Sequence, residues 1–391
     1  MKKFKKVLLI SLSIVIVAGG ALALLLQPLF AFGQLPPYAG DNRIEWKQPV
    51  YDAAKKTVFI IADNKVTEMF DMLAPYYLFQ KTGRLNVYIV AKEKAPVTIK
   101  RNLFILPQLT FREADSLKLT ADVIVIPALS IRDEKQDPVV ISFIKNHFSP
   151  ETKLMAVCDG AATAAATGLF DGKPITCHAS DLGALKTHFS KPIWIKDVNV
   201  AHSGNLYSTA GVSNAVEGSL MVINDLLGSQ AMQSVAAGIR YPHAVLTNTH
   251  QSKAIKFGNM LTIAGKVIGR KSRRLGLVLQ DGVSELDMVS VLDTYGRSFP
   301  KSFQCVTPAD TIIHTRYGVS VICTGGKTAG KLDELHVLLP GIEAFISSNY
   351  PNTPVIRYTD EQYTIDACLA RIKQQYGQNF QTVVKLMLDY N

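Results

Sequence analysis

The sequence predicts an α/β protein whose core is a flavodoxin-like parallel sheet sandwiched by helices. Two observations carry this prediction. From residue 57 onward, short apolar runs rich in β-branched residues alternate with helical segments, and strands that are apolar throughout are typical of a parallel sheet covered on both faces. The second half of the chain repeats parts of that order, so we expect a duplicated fold with a degenerate second copy. A chain of 391 residues is long enough for both copies.

The chain begins with an apolar segment that has the length of a membrane-spanning helix. Residues 7–26 carry no charge and follow four lysines, Lys2, Lys3, Lys5 and Lys6. Such a segment spans a bilayer, and the lysines hold the N-terminus in the cytoplasm. We therefore predict a signal anchor at 1–32 and a single-pass protein of the cell membrane whose bulk is extracytoplasmic. Cleavage near Ala31 is the alternative, although cleaved signals usually have an apolar core of about 7–15 residues.

Strands and helices alternate regularly after a spacer at 33–55 that contains prolines and glycines. The composition predicts strands at 57–62, 85–91, 121–127 and 154–157, and helices at 68–80 and 139–146. In a parallel sheet of this kind, the functional residues belong at the carboxyl ends of the strands.

Cys158 follows the last of these strands at an abrupt turn into a helix of small residues. Residues 161–166 are only alanine and threonine, and Gly168 is suited to end the helix. A thiol that faces a helix start is favoured as thiolate, and small side chains let the helix pack close to the strand. The segment therefore predicts a nucleophile elbow built around cysteine. The alternative is that Cys158 is a small core residue, as buried cysteines often are.

The second half resembles the first in the order of its motifs. Asp71 and Asp287 each lie in a helix start that follows a strand, and the segments 217–241 and 366–390 share their spacing of acid, aliphatic, glycine and tyrosine positions. The second half has neither the Cys-Asp-Gly turn nor the small-residue helix. We predict one domain at 56–250 and a degenerate repeat at 275–391 that lacks the nucleophile; chance similarity is the alternative.

Most of the net charge of +10 lies outside these two domains. Besides the leading lysines, residues 253–274 carry seven basic side chains and no acid, so the rest of the chain is nearly neutral. This distribution argues against nucleic acid as a partner. We predict a solvated basic linker at 251–274, with contact to anionic lipid headgroups as the alternative. The five cysteines lack metal-type spacing, and we predict no metal and no cofactor.

Four segments of the first half share a pattern with a known family. They are Glu68-Met-Phe-Asp71-Met-Leu-Ala-Pro75, Val157-Cys158-Asp-Gly-Ala, Gly168-Leu-Phe-Asp-Gly-Lys with His178, and Ser208-Thr-Ala-Gly211-Val-Ser. In these segments the chain resembles the PfpI-like family of the class I glutamine amidotransferase-like superfamily. The similarity is greatest to isonitrile-hydratase-like proteins and to ligand domains of AraC-type regulators, whose helix-turn-helix module does not follow here.

The resemblance implies roles for three side chains. Cys158 is the nucleophile, and Asp71 rather than Glu68 is its acid–base partner, because Asp71 has the family's spacing to Pro75. Asp71 as an ordinary acidic residue at a helix start is the alternative. His178 occupies a position where family members often have a histidine near the thiol. It either relays a proton or is an ordinary strand-end residue.

The resemblance also implies an oxyanion hole formed by the backbone amides of Asp159 and Ala128. This sequence departs from the family's pattern at both places. Asp159 stands where protease-like members have histidine, and Ala128-Leu129 stands where a glycine pair is usual. Both departures argue against peptidase activity.

Two functions remain open on the sequence. The first is a cysteine-dependent small-molecule hydratase, hydrolase or glyoxalase-like enzyme, and the second is a non-catalytic protein that binds a ligand or senses redox state through Cys158. The partner in either case is a small molecule. We expect the two repeats to pack against each other as an intrachain pseudo-dimer, with homodimer formation by whole chains left open.

Overall fold

The computed structural model describes residues 35–390 except for 41–43, 47–48, 244–245, 247–249, 270–271, 309–310, 327–329 and 360. The strands in this part of the chain are β1 (Lys56–Ala62), β2 (Leu85–Ala91), β3 (Val97–Lys100), β4 (Leu103–Ile105), β5 (Leu109–Thr110), β6 (Val123–Ile126), β7 (Lys153–Val157), β8 (Pro174–Ile175), β9 (Ile193–Trp194), β10 (Val200–Ser203), β11 (Leu206–Thr209), β12 (Arg274–Val278), β13 (Ser302–Val306), β14 (Ile312–His314), β15 (Ser320–Cys323), β16 (Glu334–Val337) and β17 (Val355–Arg357). The helices are α1 (Met69–Lys81), α2 (Phe111–Ser116), α3 (Pro138–His147), α4 (Gly160–Ala166), α5 (Leu182–His188), α6 (Ala215–Leu227), α7 (Ser229–Gly238), α8 (Phe257–Ile268), α9 (Glu285–Gly296), α10 (Glu343–Asn349), α11 (Thr364–Tyr376) and α12 (Gln378–Leu388).

The first half is built on a seven-stranded sheet in the order β10-β11-β7-β6-β1-β2-β5. Its strands run parallel except at the β10–β11 pair. The run β2-β1-β6-β7-β11 has the strand order of a flavodoxin-like sheet. The α/β prediction is confirmed, and the predicted strands and helices of 57–157 correspond to β1, β2, β6, β7, α1 and α3, each within two residues at either end.

The apolar strands are explained by helices on both faces of the sheet. Val58 and Ile60 of β1 lie in the same cluster as the apolar side chains of α1 and α6, whereas Phe59 and Ile61 pack with those of α3 and α4. The rings of Phe59 and Phe143, for example, are 5.9 Å apart. A strand buried on both faces has no solvent side on which polar residues would alternate.

The second half is built on a smaller parallel sheet in the order β13-β12-β16-β17. This order and direction match those of β2-β1-β6-β7. Among the described residues between β17 and α11 there is no further helix. Gly228 and Gly377, which precede α7 and α12, have φ angles of 89° and 88°, and Arg240 and Asp389, which follow those helices, have φ angles of 56° and 55°.

The two halves pack against each other through both helices and strands. Helix α1 lies against α9, and β4 pairs with β15 in an antiparallel register that joins the hairpins β3–β4 and β14–β15 into one sheet. The Tyr76 hydroxyl donates to the Tyr317 carbonyl at 2.9 Å. Near the C-terminus, the Ser213 amide donates to the Leu388 carbonyl at 3.0 Å. The halves therefore form one packed body along several surfaces.

The predicted localisation is corrected by the structure. Among the described residues, no helix has the length and the apolar character that crossing a membrane requires. The prediction of a single-pass protein of the cell membrane is wrong on this finding. The predicted anchor itself, at 1–32, lies outside the described residues.

The segment predicted as a solvated basic linker contains helix α8. Lys266 of this helix is buried, and its ammonium group donates to the carbonyls of Ser298 and Phe299, the latter at 3.2 Å. The same group lies 4.3 Å from the centre of the Tyr376 ring. Burial lowers the pKa of Lys266 to about 8. The sequence alone did not distinguish Lys266 from its basic neighbours, because the carbonyls and the aromatic ring that contact its ammonium group lie elsewhere in the chain.

Gly160 at the start of α4 sets how closely that helix approaches the sheet. A Cβ atom at this position would lie 2.0 Å from the Ile126 carbonyl oxygen and 2.8 Å from that of Pro127. We expect Gly160→Ala to lower the free energy of unfolding by about 1–3 kcal/mol, because backbone atoms would have to move. Denaturant titration measures the effect. Gly183→Ala is the matched control, since the space around Gly183 of α5 is open; equal losses for the two variants would contradict the close approach.

The packing of the halves predicts that the first half is not independent. A fragment of residues 57–250 exposes the face of α1 that covers α9 and the edge of β4 that pairs with β15. We expect the fragment to melt at a lower temperature than the whole chain and to self-associate. Calorimetry and sedimentation velocity measure both properties. A monomeric fragment with an unchanged melting temperature would contradict the docking.

Candidate active site

The candidate site lies at the carboxyl ends of three neighbouring strands. Glu68 and Asp71 follow β1, Ala128 follows β6, and Cys158 follows β7. The chain order of the strands reverses at β1, whose neighbours are β2 and β6. Ligand sites of open parallel sheets are found at such a point, because the loops on either side diverge and leave a crevice.

Cys158 occupies a strained turn between β7 and α4. Its φ angle is +52°, in the left-handed region that residues with a side chain seldom adopt. Its amide donates to the Thr209 hydroxyl at 3.4 Å. The residue is 7% exposed, so its sulfur lies just below the surface. Strain of this kind persists where the surroundings impose it, and it is common at reactive residues.

Asp71 holds the backbone of the neighbouring strand end. It is fully buried in the first turn of α1, and its Oδ2 atom accepts from the Ala128 amide at 3.1 Å. Among the described residues its Oδ1 atom has no hydrogen-bond partner. Burial raises the pKa of Asp71 well above its usual range, and the charge of Glu68 raises it further. The Ala128 amide, predicted as an oxyanion donor, is therefore already engaged by a carboxyl group whose pKa is raised.

Glu68 has a different position from Asp71. It is the N-cap residue of α1, and its Oε2 atom accepts from the Asp71 amide at 2.7 Å. Burial and the nearby Asp293 raise the pKa of Glu68 to about 7. Capping accounts for a polar residue at this position.

Asp159, predicted for its backbone amide, also contributes its side chain. Its Oδ2 atom accepts from the Arg132 guanidinium at 2.6 Å, and the Asp159 side chain is only 4% exposed. Burial raises the pKa of Asp159 to about 6, although Arg132 opposes the change. Asp159 is the N-cap residue of α4, and the amides of Ala161 and Ala162 in this turn donate to the carbonyls of Cys158 and Asp159 at 3.2 and 3.0 Å.

The environment of Cys158 opposes the thiolate that the helix start would favour. Burial raises the pKa of Cys158 well above its usual range, and the charges of Asp159 and Asp71 add to the effect. The charge of Arg132 acts in the opposite direction. Burial and the neighbouring acids thus favour a protonated thiol, against the effect of the helix start.

His178 is held by the second half of the chain. Its Nε2 atom lies 3.3 Å from the Leu386 carbonyl, and its Nδ1 atom lies 3.6 Å from Asp181. Burial alone would lower the pKa of His178, but the bond to Asp181 and the charge of Asp389 raise it. The contacts described for His178 go to these groups and not to Cys158. A direct relay of the thiol proton through this histidine has no support in them.

Arg297 is the site residue that the sequence did not indicate. It follows helix α9 in the second half, and its guanidinium lies 3.0 Å from Asp293 and 3.8 Å from Glu68. Burial alone would lower the pKa of Arg297, but the charges of these two acids raise it, as do those of Cys158 and Asp71. No local motif signals this residue, because its role depends on how the halves dock.

Comparison with known proteins agrees with this geometry. The model of the DJ-1/PfpI family matches residues 55–224. These residues form a DJ-1/PfpI family domain.

The relatives of this domain are similar to less than half of the chain. The isonitrile hydratase of Pseudomonas putida is 27% identical over 178 residues, which are 45% of this chain and 75% of that protein. The Parkinson disease protein 7 homolog of Danio rerio is 23% identical over 189 residues, or 47% of this chain and 96% of that protein. The crystal structure of Drosophila melanogaster DJ-1beta has a TM-score of 0.42 and 22% identity, and covers 47% of this chain and 97% of that one.

The charges around Cys158 predict the effect of removing one of them. We expect Asp159→Asn to lower the pKa of Cys158, because the negative charge that pairs with Arg132 beside the thiol is lost. The rate of iodoacetamide labelling of Cys158 as a function of pH, followed by mass spectrometry, measures it. Asp171→Asn is the control, because Asp171 is exposed and pairs with Lys191. An unchanged profile in Asp159→Asn would mean that this carboxylate does not act on the thiol.

Proposed function

We propose that the DJ-1/PfpI domain of this chain is a cysteine-dependent enzyme that hydrates a small molecule at an electrophilic carbon. The observation that carries the proposal is the strained placement of Cys158 at the strand-end edge that also holds the buried Asp71 carboxyl. A nucleophile beside a protonated acid suits addition across a multiple bond, since such a step needs sulfur and a proton at the same substrate. Similarity to an isonitrile hydratase makes an isonitrile the first substrate to test.

The proposed reaction has two steps. In the first, the Cys158 sulfur bonds to the terminal carbon of the isonitrile, Asp71 delivers its proton to the same carbon, and the thiol proton replaces it on Asp71. The product is a thioimidate. In the second, water adds to the carbon–nitrogen double bond, the carbon–sulfur bond breaks, and the proton returns to sulfur as an N-substituted formamide leaves. One water is consumed, and no electrons are exchanged.

The raised pKa values of both groups suit this sequence. The raised pKa of Asp71 favours the protonated form that donates, and the thiol needs to lose its proton only as sulfur bonds to carbon. The cations Arg132 and Arg297 partly balance the surrounding acids. Because the Ala128 amide already binds Asp71, the site is less suited to a peptide oxyanion.

We propose further that the second half is a diverged copy of the first and docks as an intrachain pseudo-dimer. The matching sheet orders support this, as does a repeated contact. Tyr390 donates to Asp366 at 2.7 Å, and in the first half Tyr241 hydrogen-bonds Glu217. The same number of residues separates the acid from the tyrosine in both pairs. The copy supplies Arg297 to the site and fixes His178 through Leu386. The second half thus has a role at the site although it has no counterpart of Cys158.

A non-catalytic ligand-binding or redox-sensing role is the second candidate. The raised pKa of Cys158 and the engaged amide of Ala128 favour it, because both reduce the ability of the site to attack a substrate and to stabilise the resulting charge. In this case Cys158 would contact a ligand or be oxidised without turnover. The two candidates differ in whether the Asp71 proton is needed.

Turnover of a simple alkyl isonitrile decides between these candidates. We expect the whole chain to release the formamide, Cys158→Ser to release none, and Asp71→Asn to turn over about 10²–10⁴-fold more slowly, because the amide cannot deliver a proton. Formamide is measured by chromatography. The matched control is Asp287→Asn: Asp287 holds the corresponding position in the second half and accepts from Thr364 at 2.5 Å, so the rate is expected to be unchanged.

Two outcomes would overturn the enzymatic proposal. Formamide release that persists in Cys158→Ser would remove the covalent step. No release by the whole chain, together with tight isonitrile binding that Asp71→Asn retains, would favour the ligand-binding role.

A further inference from the structure

The second half contains a polar cavity at the edge of its sheet opposite to the carboxyl ends. The cavity has a volume of about 610 Å³ and lies at the amino ends of β12, β16 and β17. It is lined by Ser272, Arg273, Leu332, Asp333, Asn352, Pro354, Gln375 and Tyr376. None of these residues belongs to the site around Cys158.

A partly buried ionic network centred on Glu334 borders this cavity. Glu334, the first residue of β16, is fully buried. Its carboxylate accepts from Arg273, from Arg371 at 2.8 Å and from Gln375 at 2.5 Å. Arg273 and Gln375 also line the cavity, so the network reaches its surface.

The positions of the first half that correspond to Glu334, Arg371 and Gln375 are apolar, whereas Arg273 corresponds to Lys56. Leu275 of β12 is paired with Glu334 of β16, and Val58 of β1 is paired with Val123 of β6 in the same way, so Glu334 corresponds to Val123. Leu275 and Val58 both belong to the main core cluster. On the spacing shared by α6 and α11, Arg371 and Gln375 correspond to Val222 and Leu226. Apolar side chains therefore suffice to pack this layer. A buried ion network gives a fold little or no stability over such packing, so a role beyond packing accounts for it better.

The network carries an excess of positive charge. Arg273 and Arg371 share the single carboxylate of Glu334, and the Asp333 carboxylate accepts from Arg274 at 2.8 Å. The charge of Arg273 also helps burial to lower the pKa of the neighbouring Lys266. Among the described residues, the Ser272 hydroxyl oxygen has no hydrogen-bond partner. A cationic group, an unengaged hydroxyl and the amide of Asn352 therefore border one cavity.

We propose that this cavity binds a small soluble anion through a carboxylate or phosphate group, with Arg273 as its main ligand. A guanidinium has five N–H donors in a planar fork, so Arg273 retains donors for an anion while it holds Glu334. Ser272 and Asn352 supply further donors at the rim. The bound anion balances the second arginine, which Glu334 alone leaves uncompensated.

Calorimetric titration of the whole chain with inorganic phosphate and with succinate, at constant ionic strength set by chloride, tests the proposal. We expect at least one probe to bind and Arg273→Gln to weaken it by about tenfold or more, since a charge-assisted hydrogen bond is lost. Arg357→Gln is the matched control, because Arg357 lies on β17 but pairs with Glu343 outside the cavity. It is expected to bind like the unmodified chain.

A second variant keeps the test decisive if Arg273→Gln does not fold. Asn352→Leu changes the cavity rim at an exposed position, so circular dichroism is expected to be unchanged while affinity falls. Binding of neither probe by the unmodified chain would overturn the proposal. Binding that a folded Arg273→Gln or Asn352→Leu variant retains in full would overturn it as well, because the anion would then lie elsewhere.

Discussion

Arg297 joins the two halves of the chain and lies where charged groups of both halves meet. The Arg297 side chain is 21% exposed and lies between Asp293 of its own half and Glu68 of the other. Glu68 in turn caps the helix that carries Asp71, whose carboxyl group holds the strand end at Ala128. The position of the second half is thus connected, contact by contact, to the geometry around Cys158. Acids buried in this way need a nearby cation, and here the docked half supplies it.

This dependence explains why the second half matters to the site around Cys158. Its last helix ends in a left-handed residue, Asp389, which accepts from His250 at 2.7 Å. Gly211 lets this residue approach, since a Cβ atom there would lie 2.1 Å from the Asp389 Cβ. The same end of the chain reaches His178 through Leu386. The second half therefore contacts the first half at His178 as well as at Glu68.

The acids around Cys158 govern the chemistry that this arrangement allows. Burial raises the pKa of Asp71, Glu68 and Asp159, and two of these acids also raise the pKa of the thiol. These shifts favour the protonated forms of the acids and of the thiol more than an exposed site would. Such a site is better at adding a thiol together with its proton than at attacking as a free thiolate. A helix start beside a cysteine favours the thiolate, but burial and the charges of Asp159 and Asp71 act against it.

The sequence by itself determined the elements and the location of the site. Alternation of apolar runs with helical segments set the strands of the first half, since a strand buried on both faces must be apolar, and the small residues after Cys158 specified the close strand–helix turn. The tertiary structure alone decided which charges meet. Arg297, Arg132 and the carbonyl that holds His178 come from distant parts of the chain, and the structured Lys266 looked like part of a solvated run. Periodicity reports which side of an element is buried, whereas the partners of a buried charge depend on how whole elements dock.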